Sequence, residues 1–173
     1  MFHRYNQQVV IDSSPSFHIE NATWRDLKPL QRLEKICFDV DAWPLLELLG
    51  VLTFPDVLRL KAVADEKMVG FIAGDRRRGE VSGDTKVDTG WILTLGVLPD
   101  WRRIGIAEAL LMECEKQLRM PVIKLTVRRG NQPAIRLYEK LGYSQIDIWS
   151  KYYRNGEDGL VFEKQLEDAD ALA

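Results

Sequence analysis

The sequence predicts a mixed α/β domain organised around one sheet, and three observations carry that reading. Short apolar runs with period-two alternation interleave with runs of helical spacing along the chain. Residues 90–118 pass without a break from an apolar strand through a Pro-Asp turn into an amphipathic helix. The 173 residues, 46% of them hydrophobic, amount to one domain with material for a substantial core.

The elements follow in order. Residues 1–16 mix polar residues with Ser13-Ser14-Pro15 and read as a loosely held N-terminal arm, in which Val9-Val10-Ile11 offers an edge strand or a dimer contact. Residues 17–21 alternate as a first strand. Thr23 or Asp26 caps a helix to about Phe38, with Leu27, Leu30, Leu33, Ile36 and Cys37 as its apolar stripe. Asp39-Val40-Asp41 breaks it. Pro44 suits the first position of a second helix over residues 45–51. Residues 57–64 and 68–74 form a hairpin about Asp65-Glu66-Lys67. Residues 75–88 are polar, carry Arg76-Arg77-Arg78, and read as a loop. Residues 90–97 are a strand in which Gly96 marks an expected β-bulge. A helix then runs to Leu118 with Gly105 in its first turn. Residues 122–128 are a strand, Asn131-Gln132-Pro133 opens a short helix stopped by Gly142, and residues 143–149 and 157–166 are the last strands. The expected domain spans 17–166, and residues 167–173 form a fraying acidic tail.

Composition narrows the function. Net charge is −2, so no overall basic excess suggests nucleic acid. The two histidines, His3 and His18, supply no metal-ligand cluster. Cys37 and Cys114 are far apart on helical patterns and read as buried thiols of a reducing compartment. With no apolar run of membrane-spanning length and no leader pattern, a cytoplasmic location is expected, without membrane or nucleic-acid partners and with a homodimer possible.

The chemistry concentrates at residues 102–107. The first amides of a helix have no carbonyl partner, and the helix dipole adds positive charge there, which suits an anion. Gly105 and Ala107 are small, and Arg102 and Arg103 add cationic donors matched to phosphate oxygens. Arg102-Arg103-Ile104-Gly105-Ile106-Ala107 therefore reads as a pyrophosphate cradle. An ordinary helix start with a tolerated glycine is the alternative. The segment lacks the Gly-x-Gly-x-x-Gly of a dinucleotide fold and the Gly-Lys-Ser/Thr of a P-loop.

Two blocks together resemble the GNAT superfamily of acetyl-CoA-dependent N-acetyltransferases. The first is Arg102-x-x-Gly105-x-Ala107, matching the family's Arg/Gln-x-x-Gly-x-Gly/Ala after a hydrophobic strand and a Pro-containing turn. The second is Asn131-x-x-Ala134-x-x-Leu137-Tyr138-x-x-Leu141-Gly142-Tyr143. Val127-Arg128 before that block, and Tyr152-Tyr153-x-x-Gly156-Glu157-Asp158 after it, resemble the protein N-terminal branch typified by the ribosomal-protein alanine acetyltransferases.

The resemblance implies a mostly antiparallel sheet, splayed at its middle, with helices on both faces. It implies direct attack of an amine on acetyl-CoA, without metal. The backbone of Arg103, Ile104, Gly105, Ile106 and Ala107, with Arg102, would hold the pyrophosphate. Backbone groups of Leu95 and Val97, beside Gly96, would pair with pantetheine like a strand. Asn131 would hold the cofactor arm, and Tyr138 would be the acid at the thiolate. Tyr152 and Tyr153 would line the acceptor site. The branch's base is a glutamate at the position of Thr126, which cannot act as a base near neutral pH. A water relay at Thr126, or Glu157 or Asp158, is expected to replace it. The acceptor implied is a protein or peptide N-terminus, with a small amine, or a non-catalytic acyl-CoA-binding role, as alternatives.

Overall fold

The computed structural model describes residues 16–82 and 85–166. The expected arm over residues 1–15 and the acidic tail lie outside the described residues. Seven strands and four helices appear in the expected order. β1 (His18–Asn21), α1 (Leu27–Phe38), α2 (Leu45–Thr53), β2 (Val57–Ala64), β3 (Lys67–Ser82) and β4 (Thr85–Val97) form the first half. α3 (Ile106–Leu118), β5 (Val122–Arg128), α4 (Gln132–Lys140), β6 (Ser144–Trp149) and β7 (Gly159–Gln165) form the second. The sheet order is β1-β2-β3-β4-β5-β7-β6. Of its pairings, β4 with β5 is parallel and the others are antiparallel.

Helices cover both faces. Ile106, Leu110, Leu111, Cys114 and Leu118 of α3 pack with Ile72, Ile92, Leu125 and Val127 on one side, where α4 adds Ile135 and Tyr138. Leu30 and Leu33 of α1 and Leu48, Val51 and Leu52 of α2 pack against Phe71 and Ala73 on the other. Each fully buried leucine stabilises by about 1.5–3 kcal/mol relative to exposure.

The ends obey local chemistry. Asp26 and Thr23 both act at the start of α1: Thr23 N–H donates to Asp26 Oδ2 at 2.8 Å, around a 3-10 turn. Pro44 is the N-cap of α2, one position ahead of the first-turn place expected for it. Asp65 and Glu66 both have positive φ, at 47° and 60°, as a two-residue hairpin turn requires.

Residues 75–82 and 85–88 are not a loop: β3 and β4 continue through them as a polar ladder as far as Ser82↔Thr85. Cross-strand side chains hold it where apolar alternation is missing. The Arg77 guanidinium lies 4.7 Å over the Trp91 ring, and Trp91 Nε1 donates to Glu80 at 2.5 Å. Of the basic triplet, Arg76 donates to the carbonyls of Gln117 (2.8 Å) and Leu118 (2.9 Å), satisfying the C-terminal end of α3. At the other end of the chain, β7 starts at Gly159, so Glu157 and Asp158 belong to the β6–β7 turn.

Candidate functional site

The sheet opens at its centre. β4 pairs with β5 only from Thr89 to Ile92, against Val122 to Leu125. Beyond that point residues 94–97 keep β3, residues 126–128 keep β7, and a gap separates them. A β-bulge turns the strand away. The register steps from Gly74↔Ile92 to Ala73↔Thr94, leaving Leu93 extra. The expected bulge at Gly96 is thus at Leu93, and Gly96 sits in register with Phe71. Gly96 has a different task, because a Cβ there would meet Leu33 Cδ2 at 3.0 Å and Phe38 Cε2 at 3.1 Å. Its absence lets α1 pack close.

Ladder phase decides which backbone groups face the gap. Leu98 N–H donates to Val69 O, and antiparallel pairs alternate, so Gly96 bonds toward β3 while Leu95 and Val97 point away from it. The Val97 carbonyl is not free, contrary to what the resemblance implies. It accepts from Arg102 Nε at 2.9 Å and from Cys37 Sγ at 3.4 Å.

The helix start beside the gap is built from backbone. Gly105 stands outside α3 as its N-cap at φ +88°, instead of inside the first turn, because that left-handed conformation cannot continue a helix. Arg103 also has positive φ, +70°. The first helical bond runs from Ala109 N–H to Gly105 O, so the amides of Ile106, Ala107 and Glu108 precede the ladder. A Cβ at Gly105 would meet nothing within 4 Å, so the cradle opens to solvent. Arg102, Arg103 and Ile104 are exposed, while Ile106 is anchored in the core. Ile104 therefore lies outside the buried face of α3.

On the α3 side of the gap, Tyr138 of α4 is buried among the cluster that includes Val97 and Val127. Its ring meets Tyr143 edge-on at 5.9 Å, and burial pushes its hydroxyl up to about 12. Asn131 caps α4, its Oδ1 accepting from Ala134 N–H at 3.3 Å.

The opposite side holds a group the sequence reading passed over. Glu34 of α1 is 1% exposed, and its carboxylate accepts from Thr94 Oγ1 at 3.2 Å and Trp43 N–H at 3.4 Å. Burial raises its pKa above the ordinary 4.5, against the pull of those two bonds. The signal was available: Leu30, Glu34 and Cys37 share one helical face, so a carboxylate interrupts an apolar stripe. Thr126 lies across the gap on the same side, its Cγ2 close to the Gly159 backbone, and its Oγ1 is buried without a hydrogen-bond partner.

Glu157 and Asp158 are engaged elsewhere. Glu157 accepts from Gly130 N–H (2.8 Å) and Arg128, and these hold its carboxyl below the usual range, the wrong direction for a base. Asp158 accepts from Lys151 N–H at 3.0 Å and pairs with Arg129. Tyr152 and Tyr153 meet edge-on at 5.1 Å in the same turn. Tyr152 is exposed and adjoins Gly159, while Tyr153 lies under the Arg128 guanidinium at 4.1 Å. Among the described residues, no cluster of His, Cys, Asp or Glu could hold a metal, and no helix is long and apolar enough to cross a membrane.

The sequence profile of the acetyltransferase (GNAT) family matches residues 20–143, which include the gap, the cradle and Tyr138. The chain belongs to the GNAT acetyltransferase family. It is therefore an acetyl-CoA-dependent acetyltransferase by family. An N-alpha-acetyltransferase of Saccharolobus solfataricus is 27% identical over 162 residues, 90% of this chain and 96% of that protein. One from Sulfurisphaera tokodaii is 36% identical over 86 residues, 47% of this chain, and the match spans only about half (52%) of that relative. The crystal structure of the ribosomal-protein-S18-alanine N-acetyltransferase from Escherichia coli superposes with a TM-score of 0.75 at 24% identity, over 89% of this chain and 96% of that one. The splayed, mostly antiparallel sheet is thus the GNAT fold.

Proposed function

We propose that the protein, through a single domain over residues 17–166, acetylates the N-terminal α-amine of a polypeptide. The observation that carries this is the pair of Thr94 with the buried Glu34, with Thr94 on the stretch of β4 that has left β5 and Tyr138 in the core on the other face of the sheet. The names of its N-alpha-acetyltransferase relatives support the acceptor class.

The residues fit the donor. The amides ahead of the α3 ladder and the open left-handed Gly105 suit the pyrophosphate of acetyl-CoA, with Arg103 exposed beside them. Leu95 turns its backbone groups to the gap, where pantetheine would pair as an added strand. Val97 would join it if Arg102 swings from its carbonyl to the phosphates. Asn131, already the cap of α4, would border the cofactor arm. Acetyl-CoA supplies the thioester carbonyl that the amine attacks.

The chain's own groups then move protons. An α-ammonium, pKa about 8, must lose a proton before it can attack. A buried carboxylate of raised pKa binds a proton more firmly than a surface one, and Glu34 is placed to take it, directly or through one water. Thr126 would line the acceptor path with Tyr152 and Tyr153. Tyr138 keeps its proton at neutral pH. Its hydroxyl, at about 12, is a weaker acid than a thiol at about 8.5, so complete transfer to sulfur would be uphill by about 5 kcal/mol. Hydrogen-bond donation to the leaving thiolate is the role that fits.

The unpaired thiols of Cys37 and Cys114 support a reducing, cytoplasmic setting, and a homodimer is compatible with this reading. Acetyl-CoA turnover on a panel of peptides and a panel of small amines tests the acceptor. We expect turnover of peptides with free N-termini and none of the same peptides once N-acetylated. Turnover of small amines alone overturns the peptide assignment.

A further inference from the structure

We infer that Arg128 is a positioning residue that ties together the two turns flanking the acceptor path and so sets acceptor binding. This rests on the acceptor path proposed above, on the Glu34 side of the gap. Two turns border that side. One joins α1 to α2 and includes a 3-10 turn, Asp39–Asp41, and Trp43, whose N–H meets Glu34. The other joins β6 to β7 and carries Tyr152, Tyr153 and Glu157. They lie more than a hundred residues apart in sequence, so no local interaction can fix their separation.

The Arg128 side chain spans it. Arg128 is the last residue of β5, on the same face of that strand as Thr126. Its Nη2 binds Asp41 of the first turn, and its Nη1 binds Glu157 and, at 3.1 Å, Asn155 Oδ1 of the second. Its flat face stacks on Tyr153. The second carboxylate oxygen of Glu157 accepts the Gly130 N–H at 2.8 Å, which fixes the far end of the bridge to the start of the α4 loop. All three charged side chains are less than a third exposed, so solvent screens this bridge less than a surface pair. A planar guanidinium serves this geometry because it can address two carboxylates and one ring at once, which an ammonium cannot. The donor cradle contributes nothing to the bridge and takes nothing from it.

The consequence is a separation of effects. Arg128→Met should raise the acceptor KM at least about tenfold, since two untied turns must then be ordered whenever an acceptor binds. kcat should stay within about threefold and the acetyl-CoA KM should not move. Asp41→Asn should reproduce the effect, and the double variant should be no worse than Arg128→Met alone, because both remove one bridge. Arg128→Lys should recover part of the acceptor affinity. Amide exchange should rise in both turns together in Arg128→Met, whether or not an acceptor is present. An unchanged acceptor KM, an equal rise in the acetyl-CoA KM, or exchange that rises in one turn only would each overturn the inference. If small amines are turned over and peptides are not, the acceptor assignment falls while the same KM comparison, made with the amine, still decides the role of Arg128.

Discussion

The proposed donor cradle and the proposed acceptor side are built from different materials. The cradle is backbone: a left-handed glycine, orphan amides and one strand edge, all between Leu95 and Glu108. The acceptor side is made of side chains from α1, the α1–α2 turn, the end of β5 and the β6–β7 turn, joined by Glu34–Thr94 and Asp41–Arg128–Glu157. A backbone site needs a fixed local conformation and little residue identity beyond small size. A side-chain site depends on identity at each position and on the tertiary fold to bring the positions together. Substitutions in the two regions should therefore fail differently.

The largest effect expected is on chemistry, at Glu34. Glu34→Gln keeps the shape and the bond from Thr94 but removes the base, and should lower kcat/KM by about 10²–10⁴ without changing the Kd of acetyl-CoA. It should also alter stability with the opposite sense. A raised carboxyl pKa means the folded protein holds a proton that the unfolded chain has lost. The contribution to stability is present below 4.5 and is lost as pH rises through the higher folded value. Melting temperature compared across pH should thus show Glu34→Gln gaining on the native protein as pH rises toward neutrality.

Gly105→Glu comes next and attacks the other region. A like charge facing a pyrophosphate costs several kcal/mol, so acetyl-CoA binding by calorimetry should weaken by about 10²-fold or more. Gly105→Ala separates strain from charge. Its Cβ meets open space, but φ +88° disfavours it by about 1–2 kcal/mol, so stability should fall a little and binding should largely survive. If Gly105→Glu binds acetyl-CoA normally, the cradle assignment is wrong. Tyr138→Phe should lower kcat by about 10²-fold through the lost donor to the thiolate, with the donor Kd retained. The smallest effect is at Thr126. Its buried hydroxyl has no protein partner, so Thr126→Val should leave stability equal or raised by about 1 kcal/mol or less. Activity within about threefold would place the proton path at Glu34, while a large loss would place it through water at Thr126.

The contrast between the regions also explains what could be read in the sequence. Element order was legible because alternation and helical spacing are local properties, and the open helix start proposed as the cradle because its glycine and flanking arginines are contiguous. The polar ladder over residues 75–82 and 85–88 reads as a loop because its stability comes from Arg77 on Trp91 and from Trp91 to Glu80, pairs invisible to a hydrophobic pattern. Glycine is the usual mark of a bulge and points to Gly96, whereas the register slips at Leu93 and Gly96 answers to the packing of Leu33 and Phe38. Glu157 is a base candidate only through its place in the family pattern. Only the fold shows Arg128 and Gly130 claiming it, and Glu34 buried in its place.

The most direct test of the central claim is the pH profile of kcat/KM for a peptide acceptor, native against Glu34→Gln. The native logarithmic slope should be 1 while only the acceptor ammonium is protonated. It should steepen to 2 below the pKa of Glu34, at a pH above 4.5. The variant should run far lower and keep a slope of 1 throughout. A variant with the native rate, or with the steeper limb intact, would contradict Glu34 as the base.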